Sequence, residues 1–187
     1  MKKFELTSET KVVFGRTLYR IKALVKFGNV DAGELGGWVE KEENLSQSGN
    51  AWVSGNARVY GNAGVSGDAW VSGSAEVYGN AEVCGDARVS GDAWVSGNAR
   101  VSGNAEVCKI GAIFWIGAIG SRNDTTTFFK CKDGKIRVSC GCFFGDLEEF
   151  AVKVKQTHGD NEHGRVYMLA IEMAKARIGD GDSEDTE

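Results

Sequence analysis

The chain has 187 residues, with 22 Lys and Arg against 26 Asp and Glu, five Cys and no Pro. Its hydrophobic content of 42% is that of a globular protein, and no stretch approaches the roughly 18 apolar residues that a membrane span requires. No apolar segment follows the basic N-terminus, and five Cys cannot all pair, so we expect a cytoplasmic protein with reduced thiols and no membrane partner.

Residues 1–36 are predicted to form an N-terminal cap made of a strand pair. The segments 11–14 and 17–27 alternate apolar and polar residues, and Gly15-Arg16 between them is typical of a turn. Leu18, Ile21 and Leu24 would equally lie on one stripe of a helix. The sequence leaves these two alternatives open.

Residues 49–108 are ten six-residue units in one phase: GNAWVS, GNARVY, GNAGVS, GDAWVS, GSAEVY, GNAEVC, GDARVS, GDAWVS, GNARVS and GNAEVC. Ala and Val are two residues apart, so both point to one face of a short strand, and Gly followed by Asn, Asp or Ser supplies a corner. This pattern predicts a left-handed parallel β-helix over residues 37–108. Val39 and Leu45 are in phase with Ala51 and predict two imperfect sides over 37–48.

Three sides make an 18-residue coil, which predicts the neighbours of each outward side chain in the next coil. One predicted column runs through Trp52, Trp70, Arg88 and Glu106, and a second places Tyr60 next to Tyr78. Opposite charges are predicted to meet in the pairs Arg58–Glu76, Glu82–Arg100 and Arg88–Glu106.

Five aromatic side chains of the repeats point outward in this arrangement: Trp52, Trp70, Trp94, Tyr60 and Tyr78. We interpret them as an interface that packs against the terminal segments or against a second subunit of a homo-oligomer. A stacking platform for a base or a sugar is the alternative.

Residues 109–178 are predicted to form a small α+β unit. The apolar run from Ile110 to Ile119 indicates a buried strand. Asp133-Gly134 separates two alternating segments, 125–130 and 136–142, which indicates a β-hairpin.

Two helices are predicted to follow the hairpin. Asp146 has the spacing of an N-cap, and a second helix is predicted over about 162–178. The stripe expected to face the core of this second helix comprises Tyr167, Ile171, Ala174 and Ile178. Residues 179–187 carry five acids and no base, and they are predicted to be a disordered acidic tail. The nearly neutral remainder argues against long nucleic acid as a partner.

The polar segment between the apolar strand and the hairpin is the strongest candidate for ligand binding. Ser121, Asn123 and Thr125 offer hydrogen-bond donors, and Arg122 offers a planar fork that suits phosphate or carboxylate. A loop held by its own side chains is the alternative. The predicted ligand-binding residues are Arg122, Asn123, Thr125 and Ser121, with Arg165 and His163 behind them.

The two histidines, His158 and His163, lie in a polar, Gly-rich stretch with Asp160 and Glu162. Such a stretch would suit a metal ion or a catalytic base, and it would equally suit a connection between helices. Cys140-Gly-Cys142 lacks the spacing and the second pair of a zinc site. We therefore predict no catalytic residue, no metal and no cofactor.

The array resembles the hexapeptide-repeat superfamily, which includes trimeric acyltransferases that usually carry a histidine in or beside the repeats. Residues 49–108 contain no histidine. Four further segments are similar to uncharacterised phage, prophage and bacterial proteins labelled as polymer-forming or as candidate transferases: Leu18-Tyr-Arg-Ile-Lys-Ala, Leu35-Gly-Gly-Trp-Val-Glu, Asn44-Leu-Ser and Ile119-Gly-Ser-Arg-Asn-Asp.

On this basis we predict a non-catalytic, phage-type binding protein that sequesters a small anionic ligand, such as a cyclic nucleotide immune signal, in the host cytoplasm. The analogy is to anti-defence sponges, compact oligomeric phage proteins that hold host immune nucleotides without cleaving them. One alternative is a hexapeptide-repeat acyltransferase with His158 or His163 as its base. Another is a protein-binding scaffold or inhibitor that uses the Trp/Tyr face.

Overall fold

The computed structural model describes residues 2–179, so the predicted acidic tail lies outside the described residues except for Gly179. Three strands precede the repeats: β1 (Phe4–Val13), β2 (Arg16–Ala23) and β3 (Leu35–Val39). Each repeat contributes one two-residue strand: β4 (Trp52–Val53), β5 (Arg58–Val59), β6 (Gly64–Val65), β7 (Trp70–Val71), β8 (Glu76–Val77), β9 (Glu82–Val83), β10 (Arg88–Val89), β11 (Trp94–Val95), β12 (Arg100–Val101) and β13 (Glu106–Val107). The C-terminal unit contains β14 (Ile113–Ile119), β15 (Asp124–Lys130), β16 (Ile136–Cys140), β17 (Phe143–Asp146), α1 (Leu147–His158) and α2 (Glu162–Ile178).

The repeats form a parallel β-solenoid of about four turns, which confirms the predicted β-helix. Every third strand pairs in parallel, so that β4, β7, β10 and β13 make one sheet, β6, β9 and β12 a second, and β5, β8 and β11 the third. The partners are 18 residues apart, as in Trp52 with Trp70 and Arg88 with Glu106. The same pairings arise in a coil of either hand, so the left hand stays a prediction.

The interior of the coil holds the Ala and Val of the repeats, none more than 1% exposed. Each corner begins with a Gly in the left-handed region, and Gly79 shows why: its φ is +74°, and a Cβ there would come within 3.0 Å of the Gly97 backbone nitrogen. Corner amides also bond between coils, as in Asn80 Nδ2 donating to Asn98 Oδ1 at 2.9 Å. The hexapeptide therefore satisfies both the core and the corner at once.

The first coil is two residues longer than the others, which corrects the predicted phase of Val39 and Leu45. Val39 pairs with Val59 and Leu45 with Val65, each 20 residues away, so both occupy the Val columns rather than the Ala columns. The extra residues lie in the corner after Leu45. There the Gln47 side chain accepts the Lys3 N–H at 2.8 Å, which anchors the start of β1.

The N-terminal cap is a strand pair, so the strand alternative holds and the helical one is wrong. β1 and β2 pair antiparallel, and β2 pairs antiparallel with β3, so the cap extends one sheet of the solenoid to six strands. The turn lies at Phe14-Gly15, one residue earlier than predicted, since both residues have positive φ and Val13 pairs with Arg16. β1 starts at Phe4 rather than at residue 11, and β2 ends at Ala23 rather than at residue 27.

The Glu40 carboxylate links the β1–β2 turn of this strand pair to the solenoid. Its carboxylate accepts the Gly61 N–H at 2.6 Å and Arg16 Nη1 at 2.9 Å. Burial favours the neutral acid, but these two donors outweigh it and hold the pKa of Glu40 below its usual range.

The lowered pKa predicts a pH-dependent contribution of Glu40 to stability. A carboxyl with a depressed folded-state pKa stabilises fully above its unfolded value and loses that contribution as pH falls through the folded value. We expect Glu40→Gln to lower the free energy of unfolding by about 1 kcal/mol at pH 7, and the gap from the parent to shrink below about pH 4.5. Urea unfolding at pH 7, 4 and 3 measures this gap, and exposed Glu43→Gln is the control. A gap that does not change with pH would contradict the assignment.

The C-terminal unit closes the last coil. Its four antiparallel strands follow the order β14, β15, β16, β17, and α1 and α2 pack against them, which confirms the predicted α+β unit. The apolar run differs from the prediction: residues 110–112 form a 3-10 turn, Ile110 is 40% exposed, and only Ile113 to Ile119 form a strand. β17 was not expected. Asp146 caps α1 by accepting the Glu149 N–H at 2.9 Å, as predicted.

β15 is the strand that crosses the open end of the coil. Thr127 is buried and accepts the Arg100 N–H through its hydroxyl at 3.0 Å, and Cys131 bridges Ala105. Trp115 and Phe144 lie over Gly97 and Gly103. These contacts cover the last coil, whose strand edges would otherwise be open to pairing with another chain.

Candidate functional site

The predicted ligand-binding turn connects β14 to β15 on the surface. Ser121, Arg122 and Asn123 are exposed, and Asn123 takes a left-handed conformation with φ of 50°. The Arg122 guanidinium lies against Gly141, where a Cβ would overlap it. Arg122 thus rests on the neighbouring β16–β17 turn rather than inside a cavity.

Thr125 is the member of this predicted set that lines a cavity. A groove of about 270 Å³ separates the solenoid from the C-terminal unit, and we call it the polar groove. Its side-chain lining is made of Thr125, Ser139, Asp124, Asn80, Asn98, Glu82 and Arg100. Arg100 is paired with Glu82 at 3.3 Å, and Asp124 adds a second carboxylate. This arrangement of charges does not favour an anion.

The remaining predicted residues lie at the junction of the two helices. The His163 and His158 rings are 5.8 Å apart, and His158 also packs against Tyr167. Arg165 borders a shallow apolar groove with Met168 and Leu169. The structure therefore does not gather the six predicted residues into one pocket. Within residues 2–179, no group of three His, Cys, Asp or Glu side chains is placed to hold a metal ion.

The aromatic columns are stacked as predicted, but the chain itself covers part of them. Trp52 is fully buried, with its ring 5.4 Å from that of Phe27, and Tyr60 is 7% exposed in a cluster with Leu18. Trp52 and Tyr60 therefore pack against the N-terminal segment, which was one of the predicted alternatives. Tyr60 stacks on Tyr78 with ring centroids 5.2 Å apart.

Two tryptophans of the predicted interface, Trp70 and Trp94, stay more accessible. Trp70 is half-buried and donates its indole N–H to Ser54 Oγ at 3.1 Å. Trp94 is 48% exposed at the last strand of its sheet. Trp70, Trp94 and Tyr78 are therefore the members of the predicted interface that keep exposed surface.

A second cavity, of about 460 Å³, lies where the last coil meets the C-terminal unit, and its volume is in the range of small-molecule sites. We call it the basic cleft. The charged side chains that line it are Lys109, Lys130, Lys132, Arg177 and Glu106. Glu106 lies in β13, the last strand of the solenoid, and Lys109 follows it. Lys130 ends β15, Lys132 lies in the β15–β16 turn, and Arg177 lies in the C-terminal turn of α2.

The electrostatics of the basic cleft favour an anion. Lys130, Lys132 and Arg177 take part in none of the ion pairs among residues 2–179, and Glu106 is the carboxylate that lines the cleft within those residues. The C-terminal carbonyls of α2 oppose this field with a partial charge of about −0.5. That partial charge is smaller than the summed charge of Lys130, Lys132 and Arg177, the three lining cations that form no ion pair among residues 2–179.

The two cysteines that line the basic cleft differ in solvent exposure. Cys108 is exposed, whereas Cys131 is buried. Burial raises the pKa of the Cys131 thiol to about 11. Cys131 therefore stays protonated at neutral pH and is not available there as a thiolate nucleophile.

Sequence reasoning missed the basic cleft because its residues are far apart in the chain. The one local signal was Lys130-Cys131-Lys132, in which two cations flank a buried thiol at the end of a strand. β15 joins the polar groove to the basic cleft, with Thr125 near one end and Lys130 at the other. The two positions are five residues, or roughly 17 Å, apart. The predicted ligand-binding turn therefore lies at the opposite end of β15 from the basic cleft.

The fold and the two cavities define a parallel β-solenoid protein of hexapeptide repeats, closed by a strand-pair cap and an α+β cap. Residues 51–67, 57–73, 81–97 and 93–108 match the family model described as the YdcK beta solenoid repeat. These segments cover less than half of the chain and all lie in the coil, so the match shows the repeat. No curated protein matches the chain. Neither helix of the described residues is long and apolar enough to cross a membrane.

Proposed function

We propose that this protein is a non-catalytic binding protein that captures a small anion in the basic cleft. The observation that supports the proposal is the convergence of Lys130, Lys132 and Arg177, which come from separate elements and pair with no carboxylate among residues 2–179. Arg presents a planar fork to phosphate or carboxylate oxygens, and each Lys adds a compact charge. A ligand that carries more than one negative oxygen would satisfy all three.

The position of the histidines supports binding rather than acyl transfer at this cleft. His163 is 14 residues before Arg177 on α2, which is about 21 Å along the helix. His158 packs beside His163. A base for an acyltransferase would therefore lie far from the cations that hold the acidic part of a donor. The buried Cys131 thiol is protonated at neutral pH and offers no thiolate in its place.

Thermal unfolding and calorimetry with a panel of anions test the proposal. The panel is inorganic phosphate, pyrophosphate, mono-, di- and cyclic nucleotides, and an acyl-CoA, in a phosphate-free buffer of low ionic strength. A bound anion at 100 times its dissociation constant stabilises the protein by about 2.7 kcal/mol. We expect at least one phosphate compound to bind and to be recovered unaltered. Cyclic nucleotides are included because a phage-type sponge would hold them. Conversion of acyl-CoA would instead indicate a transferase.

Two single variants of α2 locate the site. We expect Arg177→Gln to weaken binding about tenfold, because a charge-assisted hydrogen bond contributes about 1.5–3 kcal/mol. Arg165→Gln is the matched control, since this arginine is exposed on the same helix about 18 Å away. Loss of binding with Arg165→Gln but not with Arg177→Gln would move the site to the helix junction. The absence of binding by every anion would contradict the proposal.

A further inference from the structure

The outward side of α2 carries an exposed apolar patch. The side of the helix that includes Ile171 and Ala174 is buried in the core of the C-terminal unit. On the other side, Leu169 is 64% exposed, Met173 51% and Met168 42%. Large apolar side chains that cluster on a surface in this way mark a site of contact with a partner.

Two opposite charges flank this patch along the helix. Arg165 lies three residues before Met168, and Glu172 lies three residues after Leu169. Seven residues make nearly two turns of an α-helix, so Arg165 and Glu172 lie on the same face. Arg165 takes part in none of the ion pairs among residues 2–179. The Glu172 carboxylate accepts Lys175 Nζ at 3.0 Å through Oε1, which leaves Oε2 for a second donor.

This face of α2 is complementary to a second copy of itself. When two α2 helices pack antiparallel about a two-fold axis between Met168 and Leu169, each Arg165 faces the partner's Glu172, because the two residues are equally far from the axis. The dimer then contains two identical ion pairs, with the apolar side chains between them. Parallel helices would instead bring like charges together, which is unfavourable.

We propose that the outward face of α2, formed by Arg165, Met168, Leu169 and Glu172, is the interface of an antiparallel homodimer. This inference goes beyond the proposed function, and it assigns the contact between subunits to α2 rather than to the Trp/Tyr columns. One helix face from each subunit makes a small interface, and such interfaces bind weakly. We expect a dissociation constant on the order of micromolar.

Sedimentation velocity across micromolar to millimolar protein, without pyrophosphate or nucleotide, tests the dimer independently of the basic cleft. We expect the parent to shift from monomer to dimer as its concentration rises. Leu169→Ala should weaken the dimer about tenfold or more, because Leu169 is at the centre of the interface. Trp94→Ala is the matched control, since Trp94 is a large apolar side chain, 48% exposed, on the solenoid. A parent that stays monomeric throughout would overturn the proposal, as would a dimer that Trp94→Ala disrupts and Leu169→Ala does not.

Charge exchange tests the antiparallel pairing itself. Arg165→Glu and Glu172→Arg each place like charges together at both ends of the homodimer, so we expect each variant to dimerise at least tenfold more weakly than the parent. An equimolar mixture of the two variants has opposite charges at both ends, and we expect a mixed dimer about as stable as that of the parent. Native mass spectrometry distinguishes the mixed dimer from either homodimer by mass, and circular dichroism checks that both variants are folded. Folded variants that fail to form a mixed dimer, or that dimerise as well as the parent does, would overturn the proposed pairing.

Discussion

Trp52→Ala is expected to lower the free energy of unfolding by about 3–5 kcal/mol, the usual loss when a large buried aromatic side chain is truncated. Trp52 is fully buried, its ring contacts Phe27 edge-on, and Gly36 leaves room for it where any Cβ would overlap the indole. Truncation would leave a cavity between the first coil and the N-terminal cap. Urea unfolding followed by circular dichroism measures the loss.

Trp94→Ala is the matched control for this prediction. Trp94 occupies the same position of the repeat, with Ala before it and Val after it, but it is 48% exposed. We expect a loss of less than about 1 kcal/mol, as for surface substitutions in general. Similar losses for Trp52 and Trp94 would mean that the cap does not bury Trp52 in solution.

Glu76→Gln is expected to lower the free energy of unfolding by about 3 kcal/mol, near the lower end for a broken buried ion pair. The Glu76 side chain is 9% exposed, lies 2.6 Å from Arg58 Nη2 and accepts the Tyr60 hydroxyl at 2.9 Å. Glutamine keeps an acceptor for Tyr60 but leaves the Arg58 charge without its partner under the N-terminal cap. Arg58 retains some solvent, with 28% of its side chain exposed, which limits the loss.

Glu82→Gln provides the comparison within the same solenoid. Glu82 and Arg100 are also one coil apart, but their side chains are 57% and 55% exposed and 3.3 Å apart. We expect an effect of about 0–1 kcal/mol that disappears at high salt. The Glu76→Gln effect should persist at high salt because water and ions reach that pair poorly. Equal effects of both substitutions would contradict this difference in burial.

The coil could be predicted from the sequence because its determinants are local and repeat. The neighbours along each column followed from the 18-residue period alone, and the pairing of Trp52 with Trp70 and of Arg58 with Glu76 confirms them. The predicted phase of Val39 and Leu45 was wrong because the corner after Leu45 contains two extra residues. Residues 37–48 do not follow the hexapeptide pattern, so the sequence does not reveal this insertion. Val39 and Leu45 have branched side chains, which fit the Val columns, and the longer corner after Leu45 allows both to lie there.

The burial of the outward aromatics could not be predicted from the repeat. Trp52 and Trp94 stand in almost identical units, GNAWVS and GDAWVS, yet one is fully buried and the other is half exposed. The difference depends on where the N-terminal strand pair lies, which no property of the repeat determines. The basic cleft escaped prediction for a related reason, because Lys109 and Arg177 meet only once the C-terminal unit has docked on the last coil.

The constant 18-residue register also sets the order in which the molecule can assemble. Each coil needs only the coil before it, so structure can grow from the N-terminal cap onward as the chain is synthesised, without waiting for distant residues. The basic cleft is different, because it requires Arg177 near the end of the chain. A nascent chain halted before α2 would therefore already contain the complete coil but would lack Arg177 of the basic cleft.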